Sequence, residues 1–178
     1  MEEITIKDIA KLCGVGVSTV SRAINNHPDI NPVTKKNILD KIADLAAGTG
    51  NASAQQSSAA AGVVVEIGPG LGTLTSSLLK RFTRVIAVEY DADLARNLPK
   101  SFPGKNLEVA HADILDYDFS TIPHPYVVVG NIPYYITTPI IEKLISLGNT
   151  PEQIVLLIQK EVAERIAAEQ ETVLSLIV

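Results

Sequence analysis

Three short stretches hold residues whose types and spacing could do chemistry. Glu66-Ile67-Gly68-Pro69-Gly70-Leu71-Gly72 sets glycines at every second position. That pattern lets the backbone turn sharply and lets a ligand approach its amides where a helix begins. Position 73 is Thr, so the loop is GxGxG and not the GxGxxG of dinucleotide enzymes, which suits a nucleoside-bearing cofactor. Glu89 and Asp113 close or follow two further apolar runs. A carboxylate at the first position can accept both ribose hydroxyls, and one at the second can accept from an adenine amino group. The third stretch is Gly130-Asn131-Ile132-Pro133-Tyr134-Tyr135. An exocyclic amine conjugated with a purine is a poor nucleophile, so its hydrogens must be drawn out of the ring plane. Asn131 can do this through its side-chain oxygen, and Pro133 or Ile132 through a backbone carbonyl, while Tyr134 offers a face for an extruded base. No metal ligand set and no covalent nucleophile is needed, and His111 and His124 are read as incidental.

These residues need strands and helices to converge. From Val63 onward, apolar runs alternate with amphipathic ones. Candidate strands are Val63–Ile67, Val85–Glu89, Leu107–His111, Tyr126–Val129 and Ile154–Ile158. Candidate helices are Thr73–Arg81, Ala92–Lys100, Pro139–Leu147 and Lys160–Ala168. Such alternation predicts an α/β fold, a parallel sheet of about five strands with helices on both faces. The glycine loop, Glu89, Asp113 and Asn131 then all fall at carboxyl ends of strands, where open α/β sheets bind ligands.

The first 47 residues read differently. Apolar positions fall at helical spacing over Ile6–Cys13, Val17–Asn25 and Pro32–Leu45, and Asn31-Pro32 is a good N-cap and first-turn pair. Ala10, Gly14 and Val20 stand where a helix-turn-helix needs a small contact residue, a turn glycine and a buried aliphatic. Between the two parts, Gly48 to Gly62 (GTGNASAQQSSAAAG) has no charge and no side chain larger than Gln. It predicts a flexible linker spanning about 20 Å. The expected organisation is a small all-α unit over 1–47, a linker over 48–62 and the α/β unit over 63–178.

TIKDIAKLCGVGVSTVSRAIN and NPVTKKNILDKIADL resemble the DNA-binding headpiece of the lac repressor family. That resemblance implies Val17, Ser18 and Arg22 facing base edges in the major groove of duplex DNA, with Thr19, Ser21, Thr34 and Lys35 near phosphates. EIGPGLGTLT, VIAVEYD, HADIL, VVGNIPYYITTPII and LLIQKEVAERIAA together resemble the ribosomal small-subunit RNA adenine dimethyltransferases and the related macrolide-resistance methyltransferases. This second resemblance implies a Rossmann-like methyltransferase sheet and S-adenosylmethionine held by Glu66, Gly68, Gly70, Leu71, Glu89, Asp113 and Asn131. It implies ribosomal RNA as partner, with a target adenine positioned by Asn131, Pro133 and Tyr134. It runs from about Val63 to Ala168, so the domain is expected to be truncated before the family's basic RNA-gripping region, with the linker in place of the segment that lids the cofactor. Thr172–Val178 reads as the stump of a sixth strand, and its pattern also allows a helix. The readings ranked in order are an adenine methyltransferase expected to be impaired by its truncation, a DNA-binding regulator module, and a fused chain without joint function.

Composition limits the alternatives. The 178 residues are 46% hydrophobic with a net charge of −5, one cysteine and no tryptophan. A single thiol, Cys13, excludes an internal disulfide or a cysteine zinc cluster and points to a reducing, cytoplasmic setting. No apolar run approaches the roughly 20 residues that span a bilayer, so no membrane partner is expected. Residues 1–47 carry six basic and six acidic side chains, and the remainder carries the whole −5. Any polynucleotide contact by the larger part must therefore be local.

Overall fold

The computed structural model of the chain describes residues 6–24, 26–48, 61–157 and 175–177. Three helices come first: α1 (Ile6–Cys13), α2 (Val17–Ile24) and α3 (Pro32–Ala46). The tight turn after α1 closes with the Val15 amide donating to the Ala10 carbonyl at 2.9 Å. The α3 N-terminus is capped as expected, the Asn31 side-chain oxygen accepting from the Val33 and Thr34 amides. Ile9, Val20, Ala23, Ile38 and Ile42 are buried between the three helices.

The α/β part runs β1 (Ala61–Ile67), α4 (Thr73–Leu78), β2 (Phe82–Glu89), α5 (Ala92–Asn97), β3 (Leu107–His111), β4 (Tyr126–Asn131), α6 (Thr137–Ser146), β5 (Gln153–Leu157) and β6 (Ser175–Ile177). The strands form one sheet in the order β3-β2-β1-β4-β5-β6 with every pair parallel. Alternate residues bury opposite faces: Val64, Val85 and Val129 on one, Val65, Ile86 and Val128 on the other. This double burial is why the strands read as continuous apolar runs.

Some boundaries differ from expectation for local reasons. The helix expected over Ala92–Lys100 ends at Asn97 and continues as a 3-10 turn, Leu98–Ser101. Pro99 has no N–H to continue the α pattern. The helix expected from Pro139 begins at Thr137, because proline is tolerated in a first turn. The expected strand stump appears as β6, so the sheet has six strands where about five were expected, and β6 covers the edge of β5. The candidate helix Lys160–Ala168 and most of the expected linker, residues 49–60, lie outside the described residues, while Ala61 and Gly62 already belong to β1.

The packing joins the two expected units. Ile38, Leu39, Ile42 and Leu45 of α3 share one apolar cluster with Val64, Leu74, Leu78 and Val129. A polar clamp fixes the same helix from the side: Arg81 pairs with Asp44 and, at 3.4 Å, with Asp40, while Ser77 Oγ donates to Asp40 at 2.6 Å. Burial pushes the Asp40 carboxyl up, but hydrogen bonds from Lys36 and Ser77 and the Arg81 charge outweigh it and hold Asp40 below the ordinary carboxylate range.

Candidate functional site

The strand order reverses between β1 and β4, so the crevice beyond their carboxyl ends is the place where such a sheet takes a ligand. The glycine loop leaves β1 at that point and Asn131 ends β4 beside it. A cavity of about 180 Å³ lies there, lined by Glu66, Gly68, Gly70, Leu71 and Asn131 together with Thr73 and Leu157. Five of the residues expected from sequence to hold a cofactor thus face one hollow.

The loop glycines serve two different needs. Gly68 and Gly70 have φ of +63° and +57°, and a Cβ at either would meet nothing within 4 Å. Their glycine is not demanded by packing, and the space above them is open. Gly72 has φ of +80°, and a Cβ there would lie 2.6 Å from Leu98 Cδ1 and 2.7 Å from Phe102 Cε2. It lets α4 pack against the 3-10 turn after α5. The expectation that the loop amides are open to a ligand needs correction at the glycines. Gly68 donates to the Val88 carbonyl at 2.9 Å, Gly72 to the Pro69 carbonyl at 2.9 Å, and Gly70 to Glu89 Oε2 at 3.0 Å. The loop supplies room more than donors.

Glu89 is 7% exposed and stands under this loop, its second oxygen accepting from the Asp91 amide at 2.9 Å. An ionised carboxylate has about four acceptor sites, so Glu89 keeps capacity for ligand hydroxyls. Glu66 is 2% exposed and accepts from Thr75 Oγ1 at 2.6 Å. Burial, which the Thr75 hydrogen bond only partly offsets and the nearby Glu89 charge reinforces, pushes the Glu66 carboxyl up to about 7.

Asp113 does not line the cavity. It sits in the turn after β3, where its Oδ1 accepts from the Leu115 amide at 2.8 Å, and the Ala112 amide ties that turn to the Glu89 carbonyl at 3.0 Å. Pro133 is exposed outside the cavity, and its carbonyl already accepts from Thr137 Oγ1 at 3.0 Å and the Ile136 amide at 3.2 Å. Tyr134 opens the 3-10 turn Tyr134–Ile136 beside Asn131, and its side chain is outside what is described.

What the sequence did not indicate is the far wall. Ala23, Ile24, Asn26, Lys35 and Leu39, all from the N-terminal helices, complete the cavity. Asn131 Nδ2 donates to the Ile24 carbonyl at 3.1 Å, which fixes the amide and leaves its oxygen as the acceptor. Lys35 Nζ bonds Asn26 Oδ1 and reaches Thr73 Oγ1 at 3.5 Å. Of the residues expected to contact DNA, Val17, Ser18 and Arg22 are exposed, and Thr19, Ser21 and Thr34 are half-buried. Thr19, Arg22 and Thr34 share a separate hollow of about 170 Å³. Lys35 turns away from them into the cleft.

A parallel sheet of this order, with a glycine loop after its first strand and Asn-Ile-Pro-Tyr after its fourth, is a Rossmann-like methyltransferase fold. The 23S rRNA methyltransferase ErmE superposes with a TM-score of 0.59 at 30% identity, covering 74% of this chain and 49% of that one. A dimethyladenosine transferase from Plasmodium falciparum superposes with the same score at 37% identity, covering 77% and 45%. The family model for ribosomal RNA adenine dimethylases matches residues 29–177, and the chain belongs to that family. The ribosomal RNA small subunit methyltransferase A of Ligilactobacillus salivarius is 45% identical over 117 residues, which are 61% of this chain and 40% of that protein. The match therefore spans less than half the length of that curated relative. A model of the lacI family of bacterial regulatory proteins matches residues 5–46. The two matches overlap over residues 29–46, so α3 lies within both.

Proposed function

We propose that the protein is an S-adenosylmethionine-dependent methyltransferase that modifies the exocyclic nitrogen of an adenine in ribosomal RNA. The observation that carries the reading is the meeting of the open glycine loop and the Asn131 side-chain oxygen in one cavity at the strand-order reversal. The residues present fit the cofactor: the space above Gly68 and Gly70 is free, and Glu89 retains acceptor capacity beneath it. Gly68, Gly70, Leu71, Glu66 and Glu89 would hold it, and Asp113 extends the same line of acidic turns. When bound, it supplies an activated methyl group on a sulfonium sulfur. The Asn131 oxygen would accept from the adenine amine and orient its lone pair toward that methyl, so alignment of donor and acceptor would supply much of the acceleration. Pro133 shapes the turn, and its carbonyl must share its acceptor capacity with Thr137 and Ile136. Transfer of labelled methyl groups to small-subunit RNA tests the reading. Incorporation by the wild-type chain that disappears in Asn131→Ala is expected, and equal incorporation by both would reject it.

A second reading, a headpiece that binds duplex DNA, is supported by the exposed Val17, Ser18 and Arg22 and by the lacI-family match. Salt-sensitive retention of a pseudo-palindromic duplex that falls in Arg22→Ala is its signature, and equal retention of a scrambled duplex would reduce it to a charge contact.

A further inference from the structure

We infer that Lys35, on the helix shared by the two matches, anchors the carboxylate of the cofactor's amino-acid end. The inference rests on the cofactor reading above and adds a residue to it.

A carboxylate leaving water needs N–H donors or a cation. The cavity between the glycine loop and Asn131 offers few. All three loop glycines have spent their amides, on Val88, Glu89 and Pro69. Glu66 and the adjoining Glu89 act as hydrogen-bond acceptors there and supply no counter-charge. Lys35 is the one basic side chain among the cavity's lining residues. Its ammonium has three N–H groups; two reach Asn26 Oδ1 and Thr73 Oγ1, both in cavity-lining residues. No carboxylate among the described residues lies within ion-pairing distance of it. A cation held over a cleft by two neutral oxygens is a counter-charge awaiting an anion. The helix that carries it is held in place by Arg81, which pairs with Asp40 and Asp44 further along α3.

The cavity's size agrees. At about 180 Å³ it is below the roughly 300 Å³ at which pockets for whole drug-sized ligands begin. It suits one end of a nucleoside-bearing cofactor, while Glu89 and Asp113, the residues read as holding ribose and adenine, lie outside its walls.

The test is calorimetric titration of the whole chain with S-adenosylmethionine and with its decarboxylated analogue, in wild type, Lys35→Gln and Lys35→Arg. Wild type should favour the carboxylate-bearing ligand. Lys35→Gln should lose about tenfold in affinity for it, the scale of one charge-assisted hydrogen bond, with no loss toward the analogue. Lys35→Arg should restore most of the preference, and matched unfolding midpoints keep the comparison on folded protein. An equal loss toward both ligands, or no loss toward either, overturns the inference while leaving the cofactor reading standing. If wild type binds neither ligand, the cofactor reading itself falls, and this inference falls with it.

Discussion

Replacing Glu66 by Gln tests whether the acidic group under the glycine loop is held against its own ionisation. Glu66 is fully enclosed and accepts one short hydrogen bond from Thr75, and its carboxyl is pushed up from 4.5 to about 7. An acid whose native value lies above its unfolded one is favoured in the native state only while protonated. Its penalty is therefore absent below pH 4.5, grows between 4.5 and about 7, and is complete above that. At about 1.4 kcal/mol per tenfold change in proton affinity, the interval corresponds to about 3 kcal/mol. Gln keeps the shape and can still accept from Thr75, but has nothing to ionise. Urea unfolding of both chains without ligand, from about pH 4.5 to about pH 8, should show nearly equal stability at the acid end. The variant should become more stable by about 2–3 kcal/mol at the alkaline end. Two parallel curves across that range would refute the burial argument, since they would mean that the native state does not raise this group.

Other consequences follow from particular contacts. Gly72→Ala should destabilise the chain by about 2–4 kcal/mol in denaturant unfolding, because its Cβ meets Leu98 and Phe102 in a left-handed backbone; a near-neutral change would contradict that packing. Arg81→Ala should cost about 1–2 kcal/mol near neutral pH by leaving the partly exposed Asp40 and Asp44 without their shared cation. Asp40 is held below its ordinary value of 3.8, so its stabilising contribution is present above that value and lost as pH falls through the lower native one. The deficit of Arg81→Ala should accordingly shrink in acid, and a deficit independent of pH would place the effect elsewhere.

Much of the candidate site was legible in the sequence because its residues sit at strand ends, where the alternation of apolar and polar runs marks position. Gly68, Gly70, Leu71, Glu66 and Asn131 do meet at one hollow. The strand sequence Leu107–His111 is identical to the observed β3, and Pro99 is a visible reason for the shortened α5. The opposite wall was not legible. Its polar residues include Asn26 and Lys35, and nothing local in VSRAINN or TKKN says that these face a loop more than 30 residues away. A helix-turn-helix pattern fixes which residues pack inside three helices, and it is silent on what the outer face of the third one covers. The uncharged stretch between the units suggested independence, whereas Ile38, Leu39, Ile42 and Leu45 bury the same apolar surface as Leu74 and Leu78. Likewise, glycines at alternate positions signal a turn without saying whether their amides are free, and here the Gly70 amide belongs to Glu89.

The account's central claim is that the hollow between the glycine loop and Asn131 is a cofactor site, and titration of S-adenosylmethionine into wild type and Gly70→Asp tests it most directly. Asp tolerates a left-handed backbone better than most residues, and its side chain would enter the open space above the loop beside Glu89. The wild-type chain should bind one equivalent saturably, and the variant should stay folded and lose that binding. Equal binding by both chains, or none by the wild type, would contradict the claim.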